Sequence, residues 1–106
     1  ASGKRESNAP GAKSICDALQ VVTPGDFTFE INSRLLAGSL VVTDEEVRKA
    51  MRVAYDKLKL IVEPGGAVGL AAALEGRIDT RGRTTVIVLS GGNIDPELYA
   101  EIITAQ

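Results

Sequence analysis

Along this chain, apolar and polar positions separate into short blocks, and the most complete apolar block comes late. Thr84 to Leu89 is β-branched or apolar at every position, which predicts a strand buried on both faces, as in a parallel sheet. Ser90-Gly91-Gly92-Asn93 breaks that run, and Asp95-Pro96-Glu97 then opens a short helix with a cap and a proline in its first turn. Strand, glycine turn and helix start describe a βα loop at the carboxyl end of a strand, where open α/β sheets usually bind ligands. The plainer reading is that the two glycines only make a tight turn.

Upstream, Val47, Ala50, Met51, Ala54 and Leu58 recur at helical spacing and predict a helix running through Leu60. Thr43 stands as its N-cap, with Glu46 three residues on to complete a capping box. Pro64 suits the first turn of a second helix, continued through Ala67 to Glu75 by small residues and leucine. With Gly65, Gly66, Gly69 and Ala72 it has little side-chain bulk, so its backbone can lie close to a neighbour, expected here to be a sheet. Phe27 to Leu36 is ambiguous: FTFEI alternates like a strand, yet Asp26 as a cap and Gly38 just beyond bracket a helix of about ten residues, which is preferred. Ser39 to Thr43 is a short strand candidate, Ser14 to Val22 stops at a Thr23-Pro24-Gly25 turn, and Ile78 to Arg83 is a charged turn. Residues 1–13 read as a loop or frayed arm. Two strands cannot make the covered sheet that the late run requires, so another part of a larger protein, or another chain, must supply the rest.

Composition changes the picture mainly by exclusion. The 106 residues, 44% hydrophobic and 25% charged, suffice for one small core. A net charge of −2 leaves no basic footprint for nucleic acid or for a membrane surface. Pro64 to Leu74, an uncharged stretch as long as any in the second half, is too short and too glycine-rich to span a bilayer, and no signal peptide is visible. A lone cysteine, Cys16, cannot form an internal disulfide and fits a reducing cytoplasmic compartment. The absence of histidine excludes serine triads and the usual zinc sites, so no metal site is expected.

SICDAL, the TFEI segment, VTDEEV, KLIVEPGGAVGLAAAL and VIVLSGGNID, taken in order and spacing, resemble the C-terminal third of the serine/threonine dehydratase and serine racemase family. These are pyridoxal-phosphate enzymes of the tryptophan-synthase-β fold type (fold type II). The likeness covers residues 14 to 98, and its most specific parts are the EPGGA and LSGGN boxes. It implies an α/β fold, with residues 14–106 as the C-terminal portion of the large cofactor-binding domain. It also implies that the Ser90 hydroxyl lies against the pyridine nitrogen of the cofactor. A hydroxyl cannot hold a pyridinium proton as an aspartate would, so the ring stays largely neutral and is a weaker electron sink. That suits removal of the α-proton coupled to loss of a β-substituent, ending in a keto acid and ammonia. Gly91 would let the ring approach closely, and Glu63 would lie near the ring side of the pocket, or cap the helix that follows it, or both. The family box SIADG reads SICDA here, so Ala18 replaces a glycine and Cys16 an alanine. A methyl group at Ala18 would narrow the pocket and bear on substrate choice.

Two family features have no counterpart: the Schiff-base lysine in a box like SFKxRGA, and the GGGGL loop that cradles the phosphate. Lys4, Lys13, Lys49, Lys57 and Lys59 all stand in polar or helix-surface contexts. No catalytic residue is therefore expected in this chain, which alone would be inactive. The expectation is a piece of a lyase for small hydroxy amino acids, completed by the remainder of its parent chain and assembled as a homo-oligomer. The alternative is a non-catalytic module that self-associates or pairs with another chain through exposed sheet edges. A third reading, an anion site at Ser90 to Asn93, lacks a nearby basic residue, because Arg81 and Arg83 belong to the far end of the strand.

Overall fold

A computed structural model describes residues 3–105, so Ala1 and Ser2 of the expected arm, and Gln106, lie outside the described residues. Four α-helices carry the fold: α1 (Asp26–Leu35), α2 (Asp44–Val53), α3 (Pro64–Leu74) and α4 (Pro96–Thr104). Local signals set most of their starts. At α2 the Thr43 Oγ1 accepts from the Glu46 backbone N–H, and Glu46 Oε2 accepts from the Thr43 N–H at 2.6 Å, closing the expected capping box. At α4 the Asp95 carboxylate accepts from the Glu97 and Leu98 N–H groups, with Pro96 in the first turn. At α1 the cap is Gly25, and Asp26 is the first helical residue rather than the cap expected of it.

The core sits where α2, α3 and α4 meet. Ala50, Met51 and Ala54 on one side face Ala67 and Ala71 on the other, all fully buried, with Ile102 of α4 closing the end. Small residues on both sides let α2 and α3 approach closely, so the contact is close-packed without large side chains. Ion pairs cross the rim, Lys49 to Glu75 at 2.7 Å and Arg48 to Glu101 at 3.0 Å. Tyr99 meets Tyr55 edge to face with ring centroids 6.1 Å apart, and its buried hydroxyl has no partner among the described residues.

Elsewhere the chain departs from the elements its sequence predicts. The helix from Thr43 does not run through Leu60. It widens into a π turn at Ala54–Leu58 and ends on Lys59, whose φ of 58° reverses the chain. Residues 39–43 form no strand, and residues 84–89 form none either: both are extended, but the described residues contain no paired strand. The α/β character expected of the fold is therefore not realised within them. A strand exists through hydrogen bonds to a neighbour, and no described residue pairs with residues 84–89 to provide them. Nor is that run buried on both faces. Ile87 and Leu89 pack inward against α3 and the core, while Val86 and Val88 are 85% and 74% exposed.

The shape agrees. The Cα radius of gyration is 15.0 Å and the extents are 41 × 40 × 19 Å, whereas a closed domain of this size has a radius of about 13 Å. All of α1 lies off the core, with Phe27 and Leu35 exposed. Residues 5–8 run along residues 21–24, held by Asn8 N–H to Val22 O at 2.9 Å and by Arg5 to Pro24 O.

Candidate functional site

The EPGGA and LSGGN boxes meet at the first turn of α3. Glu63 is the N-cap residue and Pro64 the first helical one, and Pro64, Gly65 and Gly66 are buried. The Glu63 N–H donates to the Gly91 carbonyl at 3.0 Å. A Cβ on Gly66 would stand 2.8 Å from the Gly91 carbonyl oxygen, and one on Gly92 would stand 2.6 Å from the Ile61 carbonyl oxygen. A Cβ on Gly91 would meet Glu63 Oε1 at 2.6 Å. These positions are glycine because two backbone segments and one carboxylate share the space that side chains would need. Glu63 makes no capping hydrogen bond through its side chain; the carboxylate lies over Gly91 instead.

The SICDA segment reaches the same corner from another direction. Residues Asp17–Leu19 form a single 3₁₀ turn that packs on α3. It places Ala18 Cβ 3.7 Å and Leu19 Cγ 3.4 Å from where a Gly65 Cβ would be. The structure thus gathers Glu63, Gly91 and Ala18 around the start of α3. Ser90 adjoins them at the end of the extended run, exposed, its hydroxyl without a partner among the described residues. Cys16 is buried just before the turn, and that burial pushes its thiol above the ordinary range, so it stays protonated and inert at neutral pH. Of the lysines, Lys49 pairs with Glu75 and Lys57 with Asp56 on the surface.

Sequence reasoning missed what holds the SICDA segment in place. Asp44, the first residue of α2, accepts from the Ser14 hydroxyl at 2.6 Å through Oδ1 and from the Ile15 N–H at 3.1 Å through Oδ2. Both partners lie inside quoted boxes, but their separation of about thirty residues has no periodic or capping signature to betray it. A cavity of about 650 Å³ lies behind the segment, bordered by Ser14, Cys16, Leu19, Val42 and Val68, and does not reach Glu63, Ser90 or Gly91.

Residues 1–91 match the family described as pyridoxal-phosphate dependent enzyme. The chain is 35% identical over 99 residues to the L-threonine ammonia-lyase of Thermotoga maritima, covering 93% of this chain and 24% of that protein. It is likewise 35% identical to the L-threo-3-hydroxyaspartate ammonia-lyase of Saccharomyces cerevisiae, covering 89% of this chain and 29% of that one. Among solved structures, a threonine deaminase from T.th. superposes with a TM-score of 0.79 at 33% identity, over 88% of this chain and 31% of its own. Serine racemase from Dictyostelium discoideum gives 0.75 at 34%, over 89% and 30%. The expected fold type is supported by these likenesses, and the chain spans 24% to 31% of the length of the relatives it matches.

Proposed function

Because this chain belongs to the family of pyridoxal-phosphate-dependent enzymes, we propose that it is the C-terminal portion of an ammonia-lyase acting on serine, threonine or a like hydroxy amino acid. The complete enzyme uses pyridoxal phosphate, which supplies the electron sink that makes the α-proton removable. In this reading residues 14–106 belong to the cofactor-binding domain, preceded by the arm at 1–13, and the Schiff-base lysine and phosphate loop lie elsewhere in the parent. The parent is a homo-oligomer of the cytoplasm. Among the described residues no helix is long and apolar enough to cross a membrane.

The observation that carries the reading is the convergence of Glu63, Gly91 and Ala18 beside Ser90, whose exposed hydroxyl is free for an outside partner. A hydroxyl both donates and accepts, so it fits a neutral ring nitrogen and does not hold a proton there. Glu63 fills the space a side chain on Gly91 would need, and the exposed Ser90 next to it is the residue that would meet the ring nitrogen. Glu63 and Ala18 would bound the pocket, and the methyl of Ala18 would trim it. Every group named here orients or shapes, and none takes a proton from substrate.

Ser90→Asp and Ser90→Ala in the complete protein test this. The aspartate should place a proton on the ring nitrogen, shift the cofactor absorption band and move the partition between elimination and racemisation. The alanine should be milder, since the nitrogen stays neutral. An unchanged band and partition with aspartate, or a large loss with alanine and none with aspartate, would overturn the role. A second reading has its own support: the bare backbone and exposed valines of residues 84–89 would let the chain pair with a copy of itself.

A further inference from the structure

The segment that brings Ala18 to α3 is held unevenly. On one side Ala18 and Leu19 rest against the first turn of α3. On the other lies the cavity of about 650 Å³, which Leu19 and Gln20 border. Asp17, Ala18, Leu19 and Gln20 are all exposed, and Cys16 is the one buried residue of the segment. Packing alone therefore leaves residues 17–20 room to fall back into the cavity. What opposes this is a set of hydrogen bonds centred on Ser14. Its hydroxyl donates to Asp44 and accepts from the Cys16 N–H at 3.1 Å, and its carbonyl accepts from the Gln20 side-chain amide. Asp44 also holds the Ile15 N–H. Bonds to an ionised acceptor are the strong kind, and Asp44 is fixed in its turn, because it is the first residue of the capped helix α2.

We infer that Asp44 is a positioning residue: through Ser14 it sets how close the Ala18–Leu19 wall stands to α3, and so which hydroxy-amino-acid side chain fits beside it. This rests on the reading that the corner at Ser90, Gly91 and Glu63 belongs to the substrate and cofactor pocket. Releasing the clamp lets the wall relax toward the cavity, which favours the larger side chain.

The test compares kcat and KM for serine and threonine in the complete protein and in Asp44→Ala, Asp44→Asn, Ser14→Ala and Glu45→Gln. Glu45 is the control: it also lies in the first turn of α2 but is exposed and pairs with Arg52. Asp44→Ala and Ser14→Ala should each move the ratio of kcat/KM by about five-fold toward threonine, a fraction of what one methylene of fit is worth. The change should lie in KM more than kcat, with the cofactor band unaltered. Asp44→Asn should fall between, since it keeps one acceptor, and Glu45→Gln should match the parent. Amide hydrogen exchange at residues 15–20 should quicken in the same variants. Faster exchange with an unmoved ratio would make Asp44 merely structural and overturn the inference, as would unmoved exchange. Should Asp44→Ala not fold, Ser14→Ala removes the same bond from the other side. If the unsubstituted protein neither binds pyridoxal phosphate nor acts on either amino acid, the functional reading fails, and exchange alone then decides whether Asp44 sets the segment.

Discussion

Helix α2 and the extended residues 84–89 dispose of their apolar side chains in opposite ways. In α2, Val47, Ala50 and Met51 are at most 1% exposed, while Glu45 faces solvent on the opposite side. In residues 84–89 only Ile87 and Leu89 turn inward, and Val86 and Val88 are left open. The difference lies in where the backbone finds its hydrogen bonds. A helix satisfies its own N–H and C=O groups once capped, so it needs a partner for one face only. An extended run needs a neighbour on each edge and a layer on each face. Just past the run a single backbone bond is made, from Glu63 N–H to Gly91 O. Among the described residues the helices are therefore the self-sufficient elements, and the extended run leaves its apolar side chains uncovered on one side.

The largest effects should separate the two regions cleanly. Met51→Ala removes a fully buried side chain and should lower the unfolding free energy of this chain by about 2–4 kcal/mol in urea denaturation. Val88→Lys alters an open position and should change it by no more than about 0.5 kcal/mol. If residues 84–89 pair between copies, Val88→Lys should instead lower the mass seen in sedimentation. A stability loss at Val88 equal to that at Met51 would break the comparison.

A finer contrast lies inside the site. Gly66→Ala should raise helix propensity by about 1 kcal/mol in isolation. Its Cβ, however, meets backbone atoms of Gly91 at 2.8 and 3.0 Å, and backbone cannot step aside cheaply. A net loss of about 1–3 kcal/mol is expected, as for overpacked cores. Gly65→Ala meets only Leu19 and Ala18 side chains at 3.4 Å and beyond, so it should be neutral or stabilising by up to about 1 kcal/mol. Equal outcomes at the two glycines, read from denaturation midpoints, would mean that the meeting of the two boxes is looser than it stands here.

Legibility followed the same division. Thr43 with Glu46, Asp95 with Pro96, and Glu63 with Pro64 are local signals, and each marks the start of a helix. Even at the ambiguous FTFEI segment the flanking residues located α1 to within a residue or two. The apolar run at residues 84–89 was just as visible, but its fate depends on neighbours that no local pattern names. Within the site, EPGGA and LSGGN were readable as separate boxes. That Glu63 would lie over Gly91, or that Asp44 would reach back to Ser14, follows from packing between elements and has no trace in spacing. The turn on Lys59 escaped for a related reason: a lysine with positive φ lacks the glycine that usually announces such a reversal.

The smallest effect concerns what lets α2 stand alone. The Thr43 N–H, and after it the Arg77 side chain, hold the Glu46 carboxyl below the usual carboxylate range. Its depressed pKa means that the unfolded chain binds the proton more readily. The stabilisation is therefore fully present above the ordinary glutamate value of about 4.3, and is lost as pH falls through the folded value. Glu46→Gln keeps a capping acceptor for the Thr43 N–H and gives up the charge. Urea midpoints followed from pH 7 to pH 3 should show the parent slightly ahead at neutral pH, with the two curves converging in acid. A gap that stays constant over the range would assign the cap to geometry alone. Residues 84–89 carry no ionisable side chain, so Val86→Thr should shift the whole curve, if at all, without bending it. The pH dependence thus separates a cap that works through charge from a run whose stability waits on a neighbour.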